Sequence, residues 1–367
     1  MVSSPGVNTA NRATTTKPSS IPLDIAAFQH IRAARATADS WVWAEYCVAA
    51  HCWPACIDVE ECSTMPSPEM QAVIEAFRER RKVRAGQAPP PLSQVRAAFA
   101  PALRRHPIPD DVRVTAVNAG GVAAHWLSAP GADSDRVLMF VHGGGYSIGS
   151  LGSHGELAAR LGRAAGMRVL FPEYRLAPEH PFPAAPEDIF AVWRWLRTDA
   201  GVAAKNIVLA GDSAGGGLIA GLLLRLRDAG AELPAAAALL SPVLDLTVSG
   251  ASVVERVDDD PVFTPNMLRG IATVYLAGAN PHVPLASPLF ADLSGLPPLL
   301  IQVGGAELLL SDAERFAAAA AAAGVDVTLE VGAGLPHVYQ TALGTPEAAA
   351  ATEQLAEFIA ARIPVSH

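Results

Sequence analysis

Gly211-Asp212-Ser213-Ala214-Gly215, continued by Gly216 and Gly217, separates two kinds of sequence. Before it runs Ile207-Val208-Leu209-Ala210, apolar and short enough for a buried strand. After it, Leu218, Ile219, Leu222, Leu223, Leu224 and Leu226 follow a helical pattern. A strand therefore enters a tight turn and leaves as a helix, with Ser213 at the apex. Small residues flank the apex because a side chain there would clash where strand and helix meet. Such a G-x-S-x-G elbow exposes the serine oxygen at the end of a sheet. It also sets that oxygen beside a helix N-terminus, whose free N–H groups favour developing negative charge.

The same turn has two other readings. One is a plain glycine-rich loop. The other is a dinucleotide fingerprint, since Gly215, Gly217 and Ala220 fit G-x-G-x-x-[G/A] after a strand. That fingerprint wants an acidic residue about twenty positions on, at the end of a second strand. Asp228 and Glu232 come too early, at a helix end. The decision rests on whether Ser213 has partners elsewhere.

His142-Gly143-Gly144-Gly145-Tyr146 closes the apolar run Val137-Leu138-Met139-Phe140-Val141. Three glycines leave backbone N–H groups unshielded, as acyl transfer needs if donors are to await a tetrahedral oxyanion. The expected donors are the N–H groups of Gly144, Gly145 and Ala214, the last following the nucleophile. Tyr146 is expected to line the substrate site.

A serine hydroxyl needs a base, expected on a loop after a late strand. Of the ten histidines, nine lie in the N-terminal extension, at the C-terminus, before the alternating core, in the glycine loop, in early loops or helix starts, or in an insertion. His337, in Gly334-Leu335-Pro336-His337-Val338, directly follows the last strand. An acid should follow the preceding strand, and Glu307 and Asp312 both do. Glu307 sits at that strand's end. Asp312 sits with Ser311 where a helix N-cap belongs, so it has another job. Glu307 is therefore expected to hold the His337 tautomer and stabilise its imidazolium, with Asp312 as the alternative.

The 367 residues suffice for one large α/β domain with accessory pieces. Half are hydrophobic, 17% are charged, and the net charge is −9. No Lys/Arg-rich face appears, which argues against nucleic acid as a partner. No apolar stretch reaches the roughly 18 residues of a membrane span. The first twenty residues are polar, without the apolar core of a secretory signal, so a cytoplasmic protein is expected. Cys47, Cys52, Cys56 and Cys62 lack a C-x-x-C pair, and reduced thiols are expected rather than a metal site, even with His51 nearby.

Strand signals at 112–117 and 122–127 flank Asn118-Ala119-Gly120-Gly121, a hairpin turn. Further strands are expected at 136–142, 168–171, 206–210, 235–240, 298–303 and 326–331. Helices are expected at 154–165, 186–198, 214–229, 312–323 and 347–362. Alternation of this kind predicts a mostly parallel eight-stranded sheet with helices on both faces and an antiparallel edge. Residues 1–64 read as a partly disordered extension, 65–110 as N-terminal cap helices, 111–248 as the first part of the core, 249–283 as a cap insertion, and 284–367 as the rest of the core. The insertion carries an acidic run, Asp258-Asp259-Asp260-Pro261, then a helical stretch at 266–276.

Together these stretches resemble the hormone-sensitive-lipase group, or family IV, of α/β-hydrolase esterases. The resemblance is carried by His142 to Tyr146, by Pro172-Glu173-Tyr174-Arg175-Leu176-Ala177-Pro178-Glu179 with Phe182-Pro183-Ala184-Ala185, by Gly211 to Gly216, by Ser241-Pro242-Val243-Leu244-Asp245-Leu246-Thr247 and by Pro336-His337. It spans about residues 65 to 362. It implies an α/β-hydrolase fold, no cofactor, small ester substrates with short to medium acyl chains, and a homodimer, for which the sequence shows no distinct interface. The family's serine matches Ser213, its histidine His337, and its oxyanion glycines Gly144 and Gly145. Its acid motif, Asp-Pro-Leu, departs here to Glu307-Leu308, and Asp245 reads as structural. Members often begin near residue 65, so residues 1–64 read as an appendage or a misread start. Two rivals stay open: the same machinery acting on amides, lactones or carbamates, and a non-catalytic ligand binder.

Overall fold

A computed structural model describes residues 65–84, 86, 90–103 and 107–363. The four cysteines, and the extension that holds them, lie outside these residues. Eight strands form one sheet in the order β1-β2-β4-β3-β5-β6-β7-β8. They are β1 (Arg113–Ala119), β2 (Val122–Ser128), β3 (Asp133–Val141), β4 (Met167–Pro172), β5 (Ile207–Asp212), β6 (Ala236–Leu240), β7 (Leu299–Gly304) and β8 (Val327–Gly332). Strands β3 to β8 pair in parallel, while β1–β2 and β2–β4 are antiparallel. The expected eight strands are all present, within three residues of their expected ends. In the hairpin, Gly120 and Gly121 alone make the turn, both at positive φ, and Gly121 N–H donates to Asn118 Oδ1 at 2.7 Å.

The central strands are apolar on both faces, because both faces are covered. In β5, Ile207 and Leu209 pack on one side, and Val208 and Ala210 on the other. Helices α4 (Ala184–Thr198), α5 (Ala214–Asp228) and α8 (Leu310–Ala322) cover the first face with Ile189, Ile219 and Phe316. Helices α3 (Leu151–Ala164) and α9 (Pro346–Ala360) cover the second with Leu161 and Ile359. This is an α/β-hydrolase fold. None of the helices among the described residues is long and apolar enough to cross a membrane.

The parallel register brings the C-terminal strand ends level. Val141 pairs with Gly211, Asp212 with Leu240, Leu240 with Gln302, and Gly304 with Gly332. The segments leaving β3, β5, β6, β7 and β8 therefore meet at one edge of the sheet.

Two helical segments lie at that edge. Helix α1 (Pro68–Arg84) buries Met70 and Ile74 against Leu335 and Tyr339, which flank His337. Its Arg81 guanidinium donates to the main-chain carbonyls of Val257 and Asp260 in the insertion. Helix α2 (Leu92–Leu103) reaches the loop after the glycines: Arg96 donates to the carbonyls of Ser147 and Ala177 and pairs with Glu179. The insertion holds α6 (Ser252–Glu255) and α7 (Pro265–Leu276). Helix α7 starts where the sequence asks, with Thr264 Oγ1 accepting from Met267 N–H and Pro265 at the first position.

Candidate active site

Ser213 sits at φ +52°, ψ −118°, a backbone strain that the surrounding packing holds in place. The packing explains the glycines around it. A Cβ on Gly215 would lie 2.0 Å from the Val141 carbonyl oxygen, so only hydrogen fits where α5 leaves the sheet. A Cβ on Gly217 would likewise meet the Val243 carbonyl at 2.3 Å. These glycines face protein backbone, not an open cleft.

His337 Nε2 lies 2.9 Å from Ser213 Oγ, and His337 Nδ1 lies 2.5 Å from Glu307 Oε2. Three residues far apart in sequence thus form one chain of contacts. Glu307 is fully buried, and its second oxygen, Oε1, accepts from Ser241 Oγ at 2.7 Å and from Gly304 N–H at 2.6 Å. Ser241 Oγ also accepts from Val338 N–H at 3.0 Å, tying the acid to the histidine loop. Burial of the His337 ring alone would lower its pKa. The charge and hydrogen bond of Glu307, backed by the charges of Asp260 and Asp212, outweigh that and leave it raised. The imidazolium is thereby favoured, as a base accepting a proton requires.

Ser241 was not singled out in the sequence as a site residue. The available signal was its place, the first residue after β6, inside the Ser-Pro stretch of the resemblance.

Asp312 has a different neighbourhood. Its Oδ2 accepts from the N–H groups of Leu244 and Asp245 at 3.1 and 3.0 Å, and Arg315 pairs with its other oxygen. Burial is the main cause that pushes its pKa up to about 7. It is not the N-cap of α8, which starts at Leu310 with Leu309 as its cap. Asp245 accepts from Thr247 and Ser249 and pairs with Arg315, as a structural residue would.

The glycine loop lies against the elbow. Gly144 adopts φ +110°, and a Cβ there would meet the Ile148 carbonyl at 2.3 Å. Gly143 N–H donates to Asp212 Oδ1 at 2.9 Å, and the other Asp212 oxygen lies 3.5 Å from His154 Nε2. Burial opposes the charge on Asp212, yet His154 and the Gly143 amide outweigh it and lower its pKa. His142 stacks on Tyr174 with ring centroids 4.3 Å apart. Burial, with the charge of His154 behind it, pulls its pKa down to about 3, so the ring is neutral. Asp212, the residue before Ser213, thus also anchors the glycine loop.

A mainly apolar cavity opens on Ser213 and Gly145. Leu268 and Ile271 of α7, Phe263 before it, and Val243, Leu246 and Leu309 line it, and Asp245 and Asp312 also border it. Phe263 also sets its ring edge on His337, centroids 4.7 Å apart. Tyr146 does not line this cavity, contrary to expectation. It is buried and stacked on Tyr275 of α7 at 3.7 Å between centroids, so its ring supports the insertion instead. Among the described residues no three His, Cys, Asp or Glu side chains are set to hold a metal ion.

A family model of the α/β-hydrolase fold matches residues 138–341. The chain belongs to that family. Within it, this α/β-hydrolase is of the hormone-sensitive-lipase-like kind. It is 44% identical over 276 residues to an acetyl-hydrolase of Streptomyces hygroscopicus, covering 75% of this chain and 90% of the relative. It is 36% identical over 249 residues to an esterase of Acinetobacter venetianus, covering 67% and 82%. Among solved structures it resembles an esterase from the bacterial hormone-sensitive lipase family, with 44% identity, TM-score 0.77, and 82% of this chain aligned to all of the other.

Proposed function

We propose that the chain hydrolyses carboxylic esters of short to medium acyl chains, with Ser213 as nucleophile, His337 as base and Glu307 as the triad acid. One observation carries the reading: the unbroken contact path from Ser213 Oγ through His337 to buried Glu307. Ser213 Oγ attacks the ester carbonyl as His337 Nε2 takes its proton. Glu307 fixes the proton on Nδ1 and stabilises the imidazolium. The N–H groups of Gly144, Gly145 and Ala214 hold the oxyanion. His337 then protonates the leaving alcohol, giving an acyl-enzyme. A water deprotonated by His337 releases the acid.

The N-terminal helices over 65–110 and the insertion over 249–283 act together as a cap. Leu268 and Ile271 bound the acyl pocket in this reading, which favours small acyl groups. An acetyl-hydrolase and an esterase among the relatives support the substrate class. The same reading carries a cytoplasmic location and, from the resemblance, a homodimer.

The test is hydrolysis of p-nitrophenyl esters from acetate to palmitate by wild type and Ser213→Ala. Activity peaking at short chains, and lost on substitution by about 10⁴-fold or more, is expected. Substantial activity in folded Ser213→Ala would remove Ser213 from its role.

A further inference from the structure

In the acidic run Asp258-Asp259-Asp260, Asp258 and Asp259 are exposed. Asp260 is fully buried. Its Oδ1 accepts from the N–H groups of Val262 and Phe263 at 2.7 and 2.9 Å. Its Oδ2 accepts from Leu308 N–H at 2.8 Å, across 48 positions of sequence. Leu308 follows Glu307 directly, and Phe263 places its ring edge on His337. From outside, Arg81 of α1 holds the Asp260 main-chain carbonyl.

One carboxylate thus joins the insertion to the segment carrying Glu307 and to the ring that packs on His337. We propose that Asp260 is a positioning residue for ester hydrolysis: it locks the insertion onto the Glu307–His337 pair and adds its carboxylate to those of Glu307 and Asp212 around the imidazole. The proposal rests on reading His337 as the base. Burial raises the Asp260 pKa, and the amides of Phe263, Leu308 and Val262, which favour the carboxylate, oppose that rise.

The carboxylates acting on His337 come from three elements: Glu307 after β7, Asp260 in the insertion, and Asp212 at the elbow. A base works in its neutral form, so the acid limb of kcat/KM follows the His337 pKa. Each of these negative charges raises that pKa. Neutralising Asp260 therefore lowers it and extends activity to lower pH. A residue that merely keeps the insertion folded would change rate or stability without moving the limb in this direction.

The test is Asp260→Asn against wild type, Asp258→Asn and Ser213→Ala on p-nitrophenyl acetate, over pH 5 to 9, with folding checked by circular dichroism. In Asp260→Asn the acid limb is expected to move down by up to about one pH unit. Its kcat is expected to fall about tenfold with little change in KM. Asp258→Asn is expected to match wild type. A limb at the wild-type position in folded Asp260→Asn overturns the inference whatever the rate does. Should Asp260→Asn not fold, Phe263→Leu is measured instead: a lower kcat at similar KM supports the lock, and an unchanged kcat overturns it. If Ser213→Ala stays active, the triad reading itself fails, and that failure is visible separately from the behaviour of Asp260.

Discussion

Ser213 and the glycine loop leave neighbouring strands, β5 and β3, and each comes from one contiguous stretch of sequence. These two stretches support each other: Asp212, the residue before Ser213, holds Gly143 N–H, and Tyr174 Oη donates to the His142 carbonyl at 2.8 Å. Glu307 and His337 are held by several separate segments: Ser241 after β6, Asp260 and Phe263 in the insertion, and Met70 and Ile74 of α1 packed beside the histidine loop. On the Ser213 side backbone meets backbone, as at Gly215 and Val141. On the Glu307 side several segments converge. Damage to the first should therefore stay local, and damage to the second should report on the insertion and N-terminal helices.

Four substitutions or measurements sharpen that contrast. On the acid side, Glu307→Gln removes the charge that favours imidazolium and presents an amide to His337. A loss of about 10²- to 10⁴-fold in kcat/KM is expected. Asp312→Asn should stay within a few-fold of wild-type rate, because the Asn side-chain carbonyl can still accept from the Leu244 and Asp245 amides and only the Arg315 pair is lost. The reverse ranking would reassign the acid. On the nucleophile side, Asp212→Asn weakens the anchor of the glycine loop. A fall of about ten- to a hundredfold in kcat is expected, with the acyl-chain preference unchanged. A changed preference would mean that the two sides are not separate. The smallest expected effect is the position of the wild-type acid limb. His337 is raised by Glu307 despite its burial, so kcat/KM should begin to fall, as pH drops, above the ordinary histidine value of roughly 6.5. A limb clearly below it would mean that burial dominates.

The same contrast explains what was legible in the sequence. The sheet was readable because buried parallel strands are short apolar runs between turn signals. The elbow and glycine loop were readable because crowding and an open backbone demand small residues within a few positions. The place of Glu307 at the strand end favours it over Asp312, and Glu307 is the one that lies against His337 Nδ1. The job assigned to Asp312 was wrong in kind, since its amide partners lie 67 and 68 positions away. Tyr146 was misjudged for a similar reason. Adjacency to the glycines suggested a cavity wall, while its stacking partner Tyr275 is remote in sequence. Asp260 was hidden inside a run of three acids, and only the fold separates it from its exposed neighbours.

The most direct test of the account is covalent labelling. The wild-type protein is treated with phenylmethylsulfonyl fluoride, residual esterase activity is followed, and the digested protein is examined by mass spectrometry. Activity should fall in proportion to a single adduct on the peptide carrying Ser213, and Ser213→Ala should take up none. Activity lost with the adduct on another residue, or an equal adduct in Ser213→Ala, would contradict the account.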